Sequence, residues 1–325
     1  MRIAMLFNSF AGKQAAFHRY AELAANAFQG HTMLTCSGGL GESYLAGLIP
    51  GLQIVPCEAS TFIEQINEAT AHMAQRHPDL LICVGGDGFI AYTADWLIRQ
   101  QRDIPLLGIA GGTANVGPLI RFTEDRLERL NPDKLLYERV GAVEVEADGR
   151  VLGYAFNDLI IGDTFLSSVE GRMVNIAAAD FLKDGSKRVV RPSPGIAGDH
   201  FQLHRNGNRV DFTLKKPAQI VVSPLHKKEF YRGKAITGAL TCAGYSEHGA
   251  AVGLSNRVLV DARMDGTDDR TIVIEHILFK AGDTIAMSGF TDKGYLIIDG
   301  NPFLCTEGKV TLRYLDGIVT CAYTG

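Results

Sequence analysis

The hydrophobic period of the chain changes once, near residue 131, and no other feature limits its possible folds so tightly. Up to that point short apolar runs alternate with helical periodicity. Ile3–Phe7, Thr32–Cys36, Leu52–Pro56, Leu80–Val84 and Pro105–Ile109 read as strands. Between them, Phe62, Ile66, Ala69 and Met73 fall on one helical face within Thr61–Gln75, and Ile90, Thr93 and Leu97 do so within Phe89–Arg99. Ser60 is the expected N-cap of the first of these helices, with Glu64 in its first turn. Strands separated by helices pair in parallel through right-handed crossovers, so the sheet is covered on both faces.

Beyond residue 140 the period becomes two. Ala142–Ala147 and Arg150–Ala155 flank Asp148-Gly149, a favoured type I′ hairpin dipeptide, and Asp199–Arg205 and Arg209–Leu214 flank Asn206-Gly207. Further strands are expected at Gln219–Val222, Arg257–Ala262, Thr271–Phe279, Thr284–Ser288, Gly294–Ile298, Lys309–Tyr314 and Ile318–Tyr323. The expected fold is an α/β N-terminal domain with a mostly parallel sheet, residues 1–135, and an all-β C-terminal domain, antiparallel and two-layered or sandwich-like, residues 136–325. A helix stop at Asn131-Pro132-Asp133 marks the linker.

Composition removes several classes of function. With 32 basic against 36 acidic residues the chain has no positive excess for binding nucleic acid. No apolar stretch reaches the ~20 residues that span a bilayer, and the opening residues lack the pattern of a signal peptide, so the cytoplasm is the expected location. Six cysteines without CxxC or Cys/His spacing read as reduced thiols, and no metal ligand set is expected from them. His200 and His204 lie on an expected strand, where four residues span ~13 Å, too far for one ion.

Glycine is the unusual residue, with 36 in 325 positions against a usual share of about 7%. Three glycine-bearing loops follow expected parallel strands: Asn8-Ser9-Phe10-Ala11-Gly12-Lys13, Gly85-Gly86-Asp87-Gly88, and Gly111-Gly112-Thr113-Ala114-Asn115-Val116-Gly117. Ligands of open parallel sheets bind beyond the carboxyl ends of strands, so all three are expected on one rim. Glycines admit backbone N–H groups close to a phosphate, and the following helix adds its positive end. Thr113 and Asn115 supply neutral hydrogen-bond groups. Asp87, a carboxylate among phosphate-binding glycines, suits a proton acceptor, a Mg²⁺ ligand or a sugar contact, and otherwise serves as a turn residue. GxGxxG and Walker A spacings are both missing.

Gly85-Gly86-Asp87-Gly88 after a hydrophobic strand, with Gly112-Thr113-Ala114-Asn115 some 25 positions later, resembles the superfamily that joins NAD kinases to diacylglycerol-type lipid kinases. Phe156-Asn157-Asp158-Leu159-Ile160-Ile161 is similar to the Asn-Glu motif of NAD kinases, and Ile297-Ile298-Asp299-Gly300 to a late strand-to-turn motif of both groups. Val190-Arg191-Pro192-Ser193-Pro194-Gly195 resembles a Thr-Pro-Thr-Gly loop. As a whole the chain looks like the acetoin-catabolism-associated branch of NAD kinase-like proteins. The resemblance implies an ATP- and Mg²⁺-dependent kinase with NAD or a related nucleotide as acceptor, and a homo-oligomer. It implies Asp87 as the catalytic residue, directing or deprotonating a ribose hydroxyl. It implies nucleotide binding by Asn8, Gly85, Gly86, Gly88, Gly112, Thr113, Asn115, Asn157, Asp158 and Asp299, with the glycine loops facing the ATP phosphates. Two positions depart from the pattern: Phe89 stands where threonine is usual, and Asn301 where the lipid kinases carry glutamate. Two further readings stand beside the nucleotide kinase: a kinase of lipids or small alcohols, motivated by the Asn8–Lys13 loop, and a regulatory nucleotide-binding protein without kinase chemistry, motivated by Phe89 and Asn301.

Overall fold

The computed structural model describes residues 1–9, 11, 14–112, 115, 117–170, 172–225, 249–263 and 271–324. Its contacts divide the chain into one unit of residues 1–140 with 317–325, and a second of residues 141–316. The sequence division at residue 135 makes no provision for the return of the last nine residues to the first unit.

In the first unit the apolar runs form β1 (Arg2–Phe7), β2 (Thr32–Cys36), β3 (Gln53–Val55), β4 (Leu80–Gly85), β5 (Leu106–Ala110) and β6 (Ile120–Phe122). Ile3 to Phe7 and Leu80 to Val84 are fully buried, as strands covered on both faces must be. The order β5-β4-β1-β2-β3 is parallel throughout, and β6 also pairs with β5. The register runs from Ile3↔Leu80 to Phe7↔Val84 and from Leu81↔Leu106 to Gly85↔Ala110, so β1, β4 and β5 end side by side. The connecting helices are α1 (Phe17–Ala27), α2 (Glu42–Leu45), α3 (Phe62–Ala74), α4 (Asp87–Arg99) and α5 (Glu124–Glu128). α1 presents Phe17, Tyr20, Ala21 and Ala24 to a core shared with Ile3, Met5, Phe7, Ile82 and Val84. The N-cap of α3 is Thr61, one residue beyond the expected Ser60; Glu64 lies in the first turn as expected and accepts the Thr61 hydroxyl.

The second unit is antiparallel in every pairing whose register is defined. Its strands are β7 (Leu136–Ala147), β8 (Arg150–Ala155), β9 (Leu159–Gly162), β10 (Thr164–Val169), β11 (Arg172–Ala177), β12 (Ala197–Arg205), β13 (Asn208–Arg209), β14 (Gln219–Pro224), β15 (Ala250–Ser255), β16 (Ile274–Phe279), β17 (Thr284–Phe290), β18 (Tyr295–Ile298), β19 (Asn301–Phe303) and β20 (Lys309–Tyr323), with α6 (Ala178–Asp184) after β11; the start of β7, to Val140, and the end of β20, from Gly317, belong to the first unit. One sheet has the order β16-β15-β14-β9-β18-β19. Its residues Leu159, Ile161, Ile220, Val222, Val252 and Leu296 share a core with Val143, Val145, Leu203, Met287, Val310 and Leu312 of the other strands. The alternate residues Ile160, Val221 and Ile297 face a second cluster containing Phe165 and Ile176. Period two in the sequence is thus used on both faces.

Asp148 and Gly149 both have positive φ, at 51° and 70°, as a type I′ turn requires. Three expectations are corrected. Arg257–Ala262 is not a strand: Gln219 Oε1 accepts the N–H groups of Leu259 and Val260, and Asn175 Oδ1 that of Ala262, so side chains satisfy this backbone in place of a ladder. Arg209–Leu214 is a strand only to Arg209. Lys309–Tyr314 and Ile318–Tyr323 are one strand, β20, whose Cys321, itself in the first unit, pairs in parallel with Leu106. Among the described residues no helix is long and apolar enough to cross a membrane.

Candidate active site

The rim loops of the first unit are joined by their own backbone. Asn8 N–H donates to Val84 O at 2.9 Å, and Gly111 N–H donates to Gly85 O at 2.8 Å, which draws the ends of β1 and β5 against the end of β4 from either side. Glycine is then a packing necessity. A Cβ on Gly112 would stand 2.5 Å from Gly86 Cα, and one on Gly111 would stand 3.0 Å from Gly85 N. A Cβ on Gly85 would meet the Phe89 ring at 2.6 Å and Asn8 Cβ at 3.1 Å. The loop after β2 reaches the same rim, since a Cβ on Gly39 would lie 3.0 Å from Ser9 Cβ.

α4 begins at this junction. Its N-cap is Gly86, with no side-chain cap, and its first intrahelical acceptor, Gly86 O, receives Ile90 N–H. The N–H groups of a first helical turn have no acceptor within the helix, which makes this end a favourable place for an anion. Asp87 occupies the first helical position and is half-buried. Its Oδ1 accepts the Gly117 N–H at 2.8 Å, so the carboxylate ties the start of α4 to the loop that follows β5. Gly117 stood in the quoted loop without a role; a backbone donor 30 residues away has no signature in residue type. Asn115, at φ 54°, closes that loop on itself: its Oδ1 accepts Gly112 N–H at 2.8 Å and its Nδ2 donates to Gly112 O. Phe89 is 2% exposed, and its ring belongs to the core beneath Gly85 rather than to the rim surface.

Asn8, Gly85, Gly86, Asp87, Gly88, Gly112 and Asn115 are therefore brought together by the register of three strands and the start of α4. Thr113 lies outside the described residues, as do Phe10, Gly12 and Lys13 of the first loop.

Asn157, Asp158 and Asp299 form a separate cluster within the second unit, each buried. Asp299 and Gly300, at φ 47° and 83°, make the two-residue turn between β18 and β19, with Ile298 paired to Asn301. That turn aims the Asp299 carboxylate back at the chain before β9. Asp299 Oδ2 accepts Phe156 N–H at 2.9 Å, and Oδ1 accepts those of Asn157 and Asp158 at 2.8 and 2.9 Å. Burial, and then the neighbouring Asp158, push the Asp299 carboxyl up to about 7 against the pull of these three donors. Asn157 Nδ2 donates to Asp158 Oδ2, and Asn157 O accepts the Ser223 hydroxyl at 2.7 Å. Among the described residues Asn157 Oδ1 is buried with no hydrogen-bond partner. No local pattern marks the role of Ser223, whose partner is 66 residues distant. Ser193, in the loop that resembles Thr-Pro-Thr-Gly, donates its N–H and hydroxyl to Asp163. Among the described residues no group of three or more His, Cys, Asp or Glu side chains could hold a metal ion.

Residues 2–119 match the family described as Diacylglycerol kinase catalytic domain. An uncharacterized protein of Archaeoglobus fulgidus is 30% identical over 136 residues, 42% of this chain and 40% of that protein, so the chain matches about two-fifths of its relative's length. Among solved structures, a diacylglycerol kinase of Bacillus anthracis superposes with a TM-score of 0.56 at 14% identity, covering 99% of this chain and 97% of that one. Yeast NADH kinase, solved in complex with NADH, superposes with a TM-score of 0.53 at 11% identity, covering 100% of this chain and 84% of that one. At such identities the structures share a fold. The superfamily resemblance seen in the motifs is supported by the family match over residues 2–119, and both neighbours share the fold.

Proposed function

We propose that this chain, with its diacylglycerol kinase-type segment over residues 2–119, is an ATP-dependent phosphotransferase that acts on an alcohol. The observation that carries the reading is the meeting of three glycine-bearing strand ends at the uncapped start of α4, with Asp87 in its first turn. The residues fit ATP: Gly112 and Gly86 approach so closely that no side chain intervenes, and the start of α4 offers N–H groups to phosphate oxygens. Mg²⁺ would come with ATP, held chiefly by its phosphate oxygens and water, which leaves the Asp87 carboxylate for the acceptor. ATP supplies the transferable phosphoryl group, and Mg²⁺ neutralises its developing charge.

The remaining work falls to the chain. The N–H groups of Gly88 and Phe89 hold phosphate oxygens in place. Asp87 accepts the proton of the acceptor hydroxyl, and the Gly117 N–H fixes which way its carboxylate faces. Asn115 keeps Gly112 pressed to Gly86 and so preserves the shape of the cradle. In the second unit Asp299 acts as a positioning residue, fixing the backbone that carries Asn157 and Asp158.

NAD or a related nucleotide is the acceptor we assign, on the likeness of Asn157-Asp158 to the NAD kinase motif and of the fold to yeast NADH kinase. The second reading is a lipid or small alcohol as acceptor, favoured by the family match of residues 2–119. Purified protein with ATP, Mg²⁺ and NAD should form NADP, and Asp87→Asn should not. NADP formation no greater than in that variant, with radiolabel passing from ATP to diacylglycerol instead, favours the second reading. Label passing to neither acceptor, nor to a panel of nucleosides and polyols, refutes the kinase.

A further inference from the structure

The segment from α5 to the start of β7 borders a cavity of about 720 Å³ within the first unit, lined by none of the rim residues. Its lining is Asp125, Arg126, Arg129, Asn131, Lys134, Leu136 and Thr324, which places three cations against a single carboxylate. Of the acids nearby, Asp133 is exposed and does not line the cavity, and the others are engaged elsewhere. Glu124 and Glu128 pair with Arg19, Glu138 pairs with Arg121, and the Asp125 carboxylate accepts the Thr123 hydroxyl.

The cations are not spent. Among the described residues neither the Arg129 guanidinium nor the Lys134 ammonium has a hydrogen-bond or ion-pair partner, although Arg129 lies within electrostatic reach of Asp125. Arg126 is held in place by one bond, from Nη1 to Arg121 O, which leaves its other donors for a ligand. Asn131 uses its Oδ1 on the Asp133 N–H and keeps its amide N–H₂. Leu136, 47% exposed, supplies an apolar wall.

We propose that this cavity binds the phosphate monoester of a small alcohol. Two guanidinium groups and an ammonium match the three terminal oxygens and double charge of a phosphate monoester, whereas a carboxylate offers two oxygens and one charge. The volume lies in the range of about 300–1,000 Å³ usual for small-molecule sites, far more than a bare phosphate ion fills. The body of the ester rests against Leu136. The site is separate from Asp87 and does not depend on the kinase reading.

Calorimetry with the full chain at low ionic strength tests it, with glycerol 3-phosphate as probe and glycerol as the uncharged control. Glycerol 3-phosphate is expected to bind and glycerol not. Arg129→Ala with Lys134→Ala should weaken binding at least about tenfold, since the pair removes two of the three cationic donors. Both side chains are exposed, so thermal unfolding should be unchanged. Arg129→Lys with Lys134→Arg should retain most of the affinity. Binding that survives the double alanine change, or a heat that sodium chloride of equal ionic strength reproduces, overturns the assignment.

Discussion

Gly112→Ala is the sharpest probe of the rim. The backbone of Gly112 is not in the left-handed region, so alanine fits its torsions and only the added methyl matters. That methyl carbon would lie 2.5 Å from Gly86 Cα, 3.1 Å from Gly86 N and 2.9 Å from Asn115 Oδ1. Carbon atoms in good contact sit about 3.5–4.0 Å apart, so the two loops must separate by roughly 1 Å. Both obstructing groups of Gly86 are main chain, with no rotamer to yield. Overpacking of this kind costs about 1–3 kcal/mol. A displacement of ~1 Å at a reacting centre can lower the rate ~10²-fold. The matched control is Gly149→Ala, where φ is 70° and no atom lies within 4 Å of the new Cβ. Its cost is backbone strain of about 1–2 kcal/mol in a hairpin turn. Thermal unfolding of both variants, with ATP affinity by calorimetry, should show similar losses of stability but lost affinity only in Gly112→Ala. Unchanged ATP affinity in Gly112→Ala, or an equal loss in Gly149→Ala, refutes the reasoning.

Asp87→Asn keeps an oxygen for the Gly117 N–H but loses the charge and the proton-accepting role, so turnover should fall ~10²–10⁴-fold while the melting temperature hardly moves. Asp299→Ala leaves three buried N–H groups without an acceptor, and denaturant titration should show a loss of roughly 3 kcal/mol or more. Because the folded state raises the Asp299 carboxyl to about 7, folding takes up a proton there, and its contribution to stability declines as pH rises from the ordinary aspartate range to about 7. Denaturation midpoints at pH 5 and pH 8 should differ less in Asp299→Asn than in the wild type. Phe89→Thr removes a ring packed beneath Gly85 and should cost ~3 kcal/mol or more, measured by thermal unfolding; a stable variant contradicts the placement of Phe89 in the core.

The parallel half of the fold was legible because its strands are uninterrupted apolar runs bounded by helices and turns. Thr32–Cys36 matches its strand to the residue, and Leu80–Gly85 and Leu106–Ala110 lie within a residue of expectation at either end. The shared rim followed from parallel pairing alone. In the second unit local signals carried less. Asp148-Gly149 and Asn206-Gly207 announced their turns, but nothing local separates Arg257–Ala262 from a strand, since what decides it is the amides of Gln219 and Asn175. Asp316-Gly317 likewise resembles a hairpin turn, yet both residues lie within β20, whose Cys321 finds its partner at Leu106, more than 200 positions away. Asp87 and Asp299 were legible as residues and not as geometries. Their acceptor roles toward Gly117 and toward residues 156–158 depend on tertiary placement.

Amide hydrogen exchange with and without ATP and Mg²⁺ reaches the phosphate cradle itself. Slowed exchange at Asp87, Gly88 and Phe89 is the predicted result. Exchange there that nucleotide leaves unaltered, while amides elsewhere in the first unit gain protection, would contradict a cradle at the start of α4.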